Sequence, residues 1–183
     1  MRVSAKADYA ARAAAELANA LESPITADRI AEAQDIPVKF LETILSELKH
    51  AGIVRSQRGP VGGYTLARPA DQISLADVIR AVDGPLANVR GDRPENMEYR
   101  GAAAPLTDVW IAVRAALRDI LETTTLASLR DGELPPRVRE LADDPEAWVS
   151  LGRIRGTPAA SAPAGGPGPA RAARQPKVSS ARS

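Results

Sequence analysis

Only four residues, Gln34 to Pro37, stand between two short segments of helical periodicity, and that brevity restricts the fold more than any other feature of the chain. Upstream, Thr26 is placed to cap a helix through Ala33 that buries Ile30 with Ala27 and Ala31. Arg29 at its third position denies it the reciprocal carboxylate of a capping box. Downstream, Pro37 suits a first turn, Phe40, Leu41, Ile44, Leu45 and Leu48 recur at threes and fours, and Gly52 closes the segment. This spacing predicts a helix over 38–51. So short a join forces the two helices to cross tightly, which is the helix-turn-helix pattern, although ordinary domains also contain short helix pairs of this kind.

The next stretch narrows the reading. Ile53 to Gln57 and Tyr64 to Leu66 are β-compatible runs joined by Arg58-Gly59-Pro60-Val61-Gly62-Gly63, a glycine- and proline-dense connector suited to folding back as a hairpin. Together with the helix before it, this predicts a winged helix-turn-helix. Glycines let a wing backbone approach a phosphate strand closely, and Arg58 at the tip is placed to enter a minor groove; the alternative is an ordinary hairpin with a solvated arginine. Charge agrees locally. Residues 37–68 hold Lys39, Lys49, Arg55, Arg58 and Arg68 against Glu42 and Glu47, a net +3, with His50 as a further basic residue.

That basicity is not global: the first 84 residues carry ten Lys and Arg against eleven Asp and Glu, and the whole 183-residue chain is only +1. Cysteine is absent, which excludes disulfides, thiolate-held zinc or iron–sulfur clusters and thiol nucleophiles. His50 is the single histidine, too few for a His-rich metal site. There is no P-loop, no dinucleotide-binding glycine fingerprint after a strand and no nucleophile elbow. Gly59 to Gly63 is followed by a β-like run rather than by the Lys-Ser/Thr and helix that a phosphate cradle requires. We therefore expect no catalytic residues, no metal and no cofactor. Charges interrupt the N-terminus where a signal peptide needs an apolar run, and no stretch of about 18 apolar residues occurs, so a soluble, cytoplasmic protein is expected, without a membrane partner.

Around this centre the chain divides into five parts. Residues 1–84 form the winged domain. They begin with an Ala-rich helix from Ser4 to Ser23, with Tyr9, Leu17 and Leu21 on one face, ended by Pro24. They close with a helix that Ser74 caps and Asp77 answers, ending near Asp83-Gly84. Residues 85–105 lack periodicity and read as a long connector. Over 104–131, Leu106, Val109, Trp110, Val113, Leu117, Ile120 and Leu121 mark a long helix through Glu122 or Thr123, followed by a short one around Thr125 to Leu129. Its stripe has more bulk than a small winged domain needs to bury, so we assign it to a homodimer interface; the alternative is a cap on its own chain. Residues 132–155 are expected to hold one loosely attached helix, spanning Pro135 to Leu151 around Trp148. Residues 156–183 contain eight Ala, five Pro, four Gly and four Ser with no acid, the composition of a disordered tail.

The chain resembles the Rrf-two family of bacterial winged-helix regulators over about residues 1–130. The similarity is carried by Met1-Arg2-Val3-Ser4 with Tyr9-Ala10, Ile30-Ala31-Glu32-Ala33, Phe40-Leu41-Glu42 and Leu48-Lys49-His50-Ala51-Gly52-Ile53-Val54. Above all it is carried by Ser56-Gln57-Arg58-Gly59-Pro60-Val61-Gly62-Gly63-Tyr64-Thr65-Leu66-Ala67-Arg68-Pro69, and Val78 to Gly84 completes the series. The resemblance implies a mainly α fold with a two-stranded β wing and a long dimerisation helix. It also implies a homodimeric regulator, a repressor by family type, that reads a pseudo-palindromic site in double-stranded DNA.

By the same resemblance the recognition helix offers DNA Val38, Lys39, Glu42, Thr43 and Ser46, with Glu42 placed to accept a hydrogen bond from a cytosine amino group. The wing adds Arg55, Arg58, Gly59, Pro60, Gly62 and Gly63. Many family members bind an iron–sulfur cluster through cysteines in the loop before the long helix, where this chain has Arg90, Asp92, Glu95, Asn96 and Glu98. Asp8 stands where one branch places a non-cysteine ligand, but a lone carboxylate cannot hold a cluster. A small-molecule effector pocket bounded by Asp8 and Trp110, or a protein effector as in one branch of the family, is expected instead. The alternative function is a protein-interaction module that keeps the fold without specific DNA reading.

Overall fold

The computed structural model describes residues 3–21, 23–59 and 61–149. Pro60 of the wing and the segment 156–183 lie outside them. The chain divides into two compact units, Met1–Trp148 and Val149–Ser183, and every described helix and strand lies in the first.

Helix α1 (Ala5–Asn19) begins where the Ser4 side chain accepts from the Ala7 amide, and the same hydroxyl donates to Asp83 at 2.5 Å. Its inner face is Leu17 with five alanines, Ala7, Ala10, Ala13, Ala14 and Ala18, whose small side chains let neighbouring elements approach the helix axis closely. Leu21, expected on that face, is instead 71% exposed. The helix stops at Asn19, and the left-handed backbone at Leu21 (φ +48°) turns the side chain away from the face.

Helix α2 (Ala27–Gln34) is capped by Thr26 without a capping box, as Arg29 dictates. The turn to helix α3 (Val38–His50) passes through Asp35, which is left-handed, while Ile36 is buried and its amide donates to Ala31 O. Leu41, Ile44, Leu45 and Leu48 of α3 are wholly buried. Each contributes about 1.5–3 kcal/mol by leaving water. Phe40, grouped with them by spacing, lies at the margin of that stripe and is 38% exposed, packing edge-on against Tyr9 with ring centroids 5.7 Å apart.

Strands β1 (Val54–Gln57) and β2 (Gly63–Leu66) pair antiparallel with Val54 opposite Leu66 and Gln57 opposite Gly63, closing the wing. Helix α4 (Leu75–Asp83) opens on a complete capping box between Ser74 and Asp77. The connector after it is irregular, with single-turn 3-10 segments at Pro94–Asn96 and Gly101–Ala103, and Pro94 is buried. Helix α5 (Leu106–Thr123) follows, then α6 (Leu126–Asp131), whose Leu126 returns to the winged core with no exposed surface.

Near the end of this unit, helix α7 (Pro136–Asp143) stops well before Trp148, which sits in a 3-10 turn (Pro145–Trp148) and is 79% exposed. The longer helix expected there is interrupted because Pro145 pushes Asp144 out of the helical region. The mainly α architecture with one two-stranded β wing agrees with the reading of the sequence. No helix among the described residues is long and apolar enough to cross a membrane.

Candidate nucleic-acid interface

One side of α3 is sealed into the core and the other is open. Val38, Lys39, Glu42, Thr43 and Ser46 are all exposed, one face of a 13-residue helix. The Thr43 hydroxyl donates back to Lys39 O (3.3 Å), which occupies its polar group within the helix. Toward the C-terminus, the ring nitrogen Nδ1 of His50 contacts Ser46 O at 2.7 Å, and Lys49 Nζ donates to Ser56 Oγ at 2.7 Å, tying α3 to strand β1. An ion pair, Lys6 with Glu47 (2.9 Å), fixes α3 against α1.

The wing is held in place as well as formed. Ile25, in the link between α1 and α2, pairs with Tyr64 of β2 as an added bridge. This approach explains why residue 63 is glycine, since a Cβ there would lie 2.6 Å from Ile25 O. Gly62 is constrained likewise, its Cβ position lying 2.5 Å from Gln57 O. At the tip, Arg58 and Gly59 are exposed. Arg55 is exposed too, but its Nε donates to Thr65 Oγ1 (2.9 Å), and its side chain reaches a cleft bordered by the end of α1 and by α6.

Helix α5 has no buried residue. Leu106 and Val109 are exposed, and Trp110, Val113, Leu117, Ile120 and Leu121 are half-buried. Ile111, outside the stripe that the periodicity marks, is a further exposed apolar residue on this helix, and its position off the stripe was the signal available in the sequence. The indole nitrogen of Trp110 is buried without a hydrogen-bond partner among the described residues. Asp8 forms an ion pair with Arg12 one turn along α1 at 3.0 Å. Neither Asp8 nor Trp110 lines the cleft at Arg55 or the smaller cavity beside the connector.

Where the connector meets α4 and α5, sequence patterning gives no hint of the arginine network present. Arg80 and Arg118 both bind Glu122, and Arg114 binds Glu95. The two guanidiniums hold the Glu122 carboxyl below its ordinary range. Glu95 is lowered first by its own backbone amide and then by Arg114, and Asp92 by Asn96 and the Arg93 amide. Arg80, Arg93, Arg114 and Arg118 line a cavity of about 260 Å³ here.

Residues 3–132 match a family model described as Rrf2, "Iron-dependent Transcriptional regulator". Among relatives, "Putative HTH-type transcriptional regulator Rv1287" of Mycobacterium tuberculosis is 51% identical over 82% of this chain and 94% of its own length. "HTH-type transcriptional regulator CymR" of Bacillus subtilis is 35% identical over 73% of this chain and 94% of its own. The crystal structure of B. subtilis CymR, the "Global Cysteine Regulator", superposes with a TM-score of 0.62 at 32% identity, covering 72% of this chain and 98% of that one. IscR of T. potens gives 0.59 at 32% identity, covering 73% and 89%.

The iron of the family description finds no fitting donor set here. Cysteine is absent from the sequence, and no group of three or more His, Asp or Glu suited to a metal ion occurs among the described residues. In the loop that the resemblance assigns to a cluster, Asp92 and Glu95 are already engaged by the groups named above, and the nearby cavity is lined by arginines, which repel a cation. The relatives named are transcriptional regulators rather than enzymes. On the span of the family match and on relatives this similar in sequence and fold, the chain belongs to the Rrf2 family of winged-helix transcriptional regulators.

Proposed function

We propose that the protein is a homodimeric, sequence-specific DNA-binding regulator acting as a repressor on a pseudo-palindromic operator in the cytoplasmic nucleoid. It works without an iron–sulfur cluster and answers to a small-molecule or protein effector. The observation that carries this reading is the open face of α3 beside a wing to which Lys49 and Ser56 tie it. Such a pair presents a helix to a major groove and Arg58 to the adjoining minor groove at a fixed separation. Lys39, Arg55 and Arg58 supply phosphate contacts, Gly59, Gly62 and Gly63 shape the wing, and Glu42 is the carboxylate available to a cytosine amino group.

The dimer rests on α5. A soluble monomer rarely leaves one long helix without a single buried side chain while exposing Leu106, Val109 and Ile111. A second copy of the helix covers that face and sets two recognition helices on one side of the duplex.

Gel shift with the protein's own promoter against a random duplex of equal length, at moderate salt, tests the proposal. A preference of at least about a hundredfold for the promoter is the expected result, and equal affinity for both overturns it.

A further inference from the structure

We propose that the cleft between the wing and α6 is a binding site for an amphipathic monoanion, a carboxylate on an apolar body, and that its occupation weakens the wing's hold on DNA. The coupling rests on the DNA-binding reading above; the binding site itself does not.

The cleft has a volume of about 770 Å³, within the range of small-molecule sites. Leu17 and Ala18 of α1, Leu66 of β2 and Ala127 of α6 give it an apolar wall. Three arginines, Arg55, Arg68 and Arg130, share its lining with two carboxylates, Asp71 and Asp131, and a third carboxylate, Asp77, stands beside Arg68 outside the lining. The pairings show which guanidinium has no carboxylate of its own, Asp71 acting on Arg130 together with Asp131. Asp131 chelates Arg130 through two nitrogens, at 2.7 and 2.9 Å, and Arg68 lies 3.9 Å from Asp77. Arg55, by contrast, gives its Nε to a neutral hydroxyl, Thr65 Oγ1. The unneutralised guanidinium beside an apolar wall selects one negative charge attached to hydrocarbon; a dianion meets Asp71 and Asp131, and a cation meets Arg55.

The coupling comes from the same residue. Arg55 stands on β1, three residues before the wing-tip Arg58. A carboxylate bound to Arg55 removes it from the phosphate strand, so ligand and DNA compete for one charge.

The test uses the full-length protein and sodium octanoate as the probe, with octylammonium and octanol as charge controls. Binding is read without DNA from amide shifts in nitrogen-15 spectra. Saturable shifts confined to the end of α1, Arg55 and its neighbours on β1, residues 66–71 and α6 are expected, with octanoate at least tenfold tighter than either control. Arg55→Gln should weaken octanoate at least tenfold, and Ala127→Phe should block it by filling the wall. Equal binding of octylammonium or octanol, shifts scattered elsewhere, or unchanged affinity in Arg55→Gln overturns the site. Should either variant fail to fold, the three-probe comparison on the wild type still decides. For the coupling, saturating octanoate should lower DNA affinity severalfold and reduce the salt slope by about one. DNA affinity unmoved by bound octanoate overturns the coupling, whereas a protein that binds octanoate but no DNA sinks the operator reading alone.

Discussion

Ile25 and Tyr64 exchange both main-chain hydrogen bonds, at 3.0 and 2.8 Å, so the link between α1 and α2 acts as a third, one-residue strand beside the wing. Gly63 permits this contact by having no side chain. Gly63→Ala is expected to destabilise the protein by about 1–3 kcal/mol, because the methyl group meets the backbone of Ile25 rather than a side chain able to move. Urea denaturation followed by circular dichroism measures it; a loss below about 0.5 kcal/mol contradicts the packing described.

Arg58 is exposed at the wing tip, the position proposed to meet a phosphate or a narrow groove. Arg58→Ala should weaken operator binding and lower the slope of log affinity against log salt by about one, while leaving the melting temperature unchanged. Fluorescence anisotropy at several salt concentrations separates this from a purely structural role, which would leave the slope as it was.

Val109 is 48% exposed in the middle of an apolar helix surface. Val109→Asp places a charge where the second copy is proposed to pack, and the sedimentation coefficient should fall from that of a dimer to that of a monomer with the helical spectrum retained. An unchanged coefficient argues that this face of α5 lies outside any dimer contact.

Glu122 is ionised more readily in the folded chain than in the unfolded one, because Arg80 and then Arg118 stabilise its carboxylate. A lowered carboxyl pKa gives stability that is complete above the ordinary value of 4.5 and is lost as pH falls through the folded value. Glu122→Gln should therefore melt below the wild type at neutral pH, with the gap closing as the solution is acidified below about 4.5. Calorimetry from neutral pH down to about pH 3 checks it, and a constant gap contradicts the ion-pair origin.

What the sequence disclosed depended on how local the cause was. Ser74 with Asp77, Thr26 and the apolar spacing of Leu41 to Leu48 act within a turn or two, so the caps and helices were legible. Leu21 and Trp148 were misplaced because a left-handed residue and a proline ended helices that the periodicity alone would have continued. The Arg80–Glu122 pair spans 42 residues and the Arg114–Glu95 pair 19, distances at which spacing carries no information. The cleft beside Arg55 was invisible for the same reason, its walls coming from α1, β1, β2 and α6.

The passage out of α5 is sewn to the entrance of α4: the Leu75 amide donates to Thr124 O at 2.8 Å and the Leu126 amide to Ile73 O at 2.9 Å. With 18 residues, α5 is a rod of about 27 Å held by this clip at one end and steadied along its length by the Arg80–Glu122 and Arg114–Glu95 pairs. Each degree of tilt at the clip swings the far tip by about half an ångström. Were two copies to meet through α5 as proposed, a small rearrangement near Ser74 and Thr125 would be geared into a large change of span, and stiffening that pivot would fix the gauge between the paired domains.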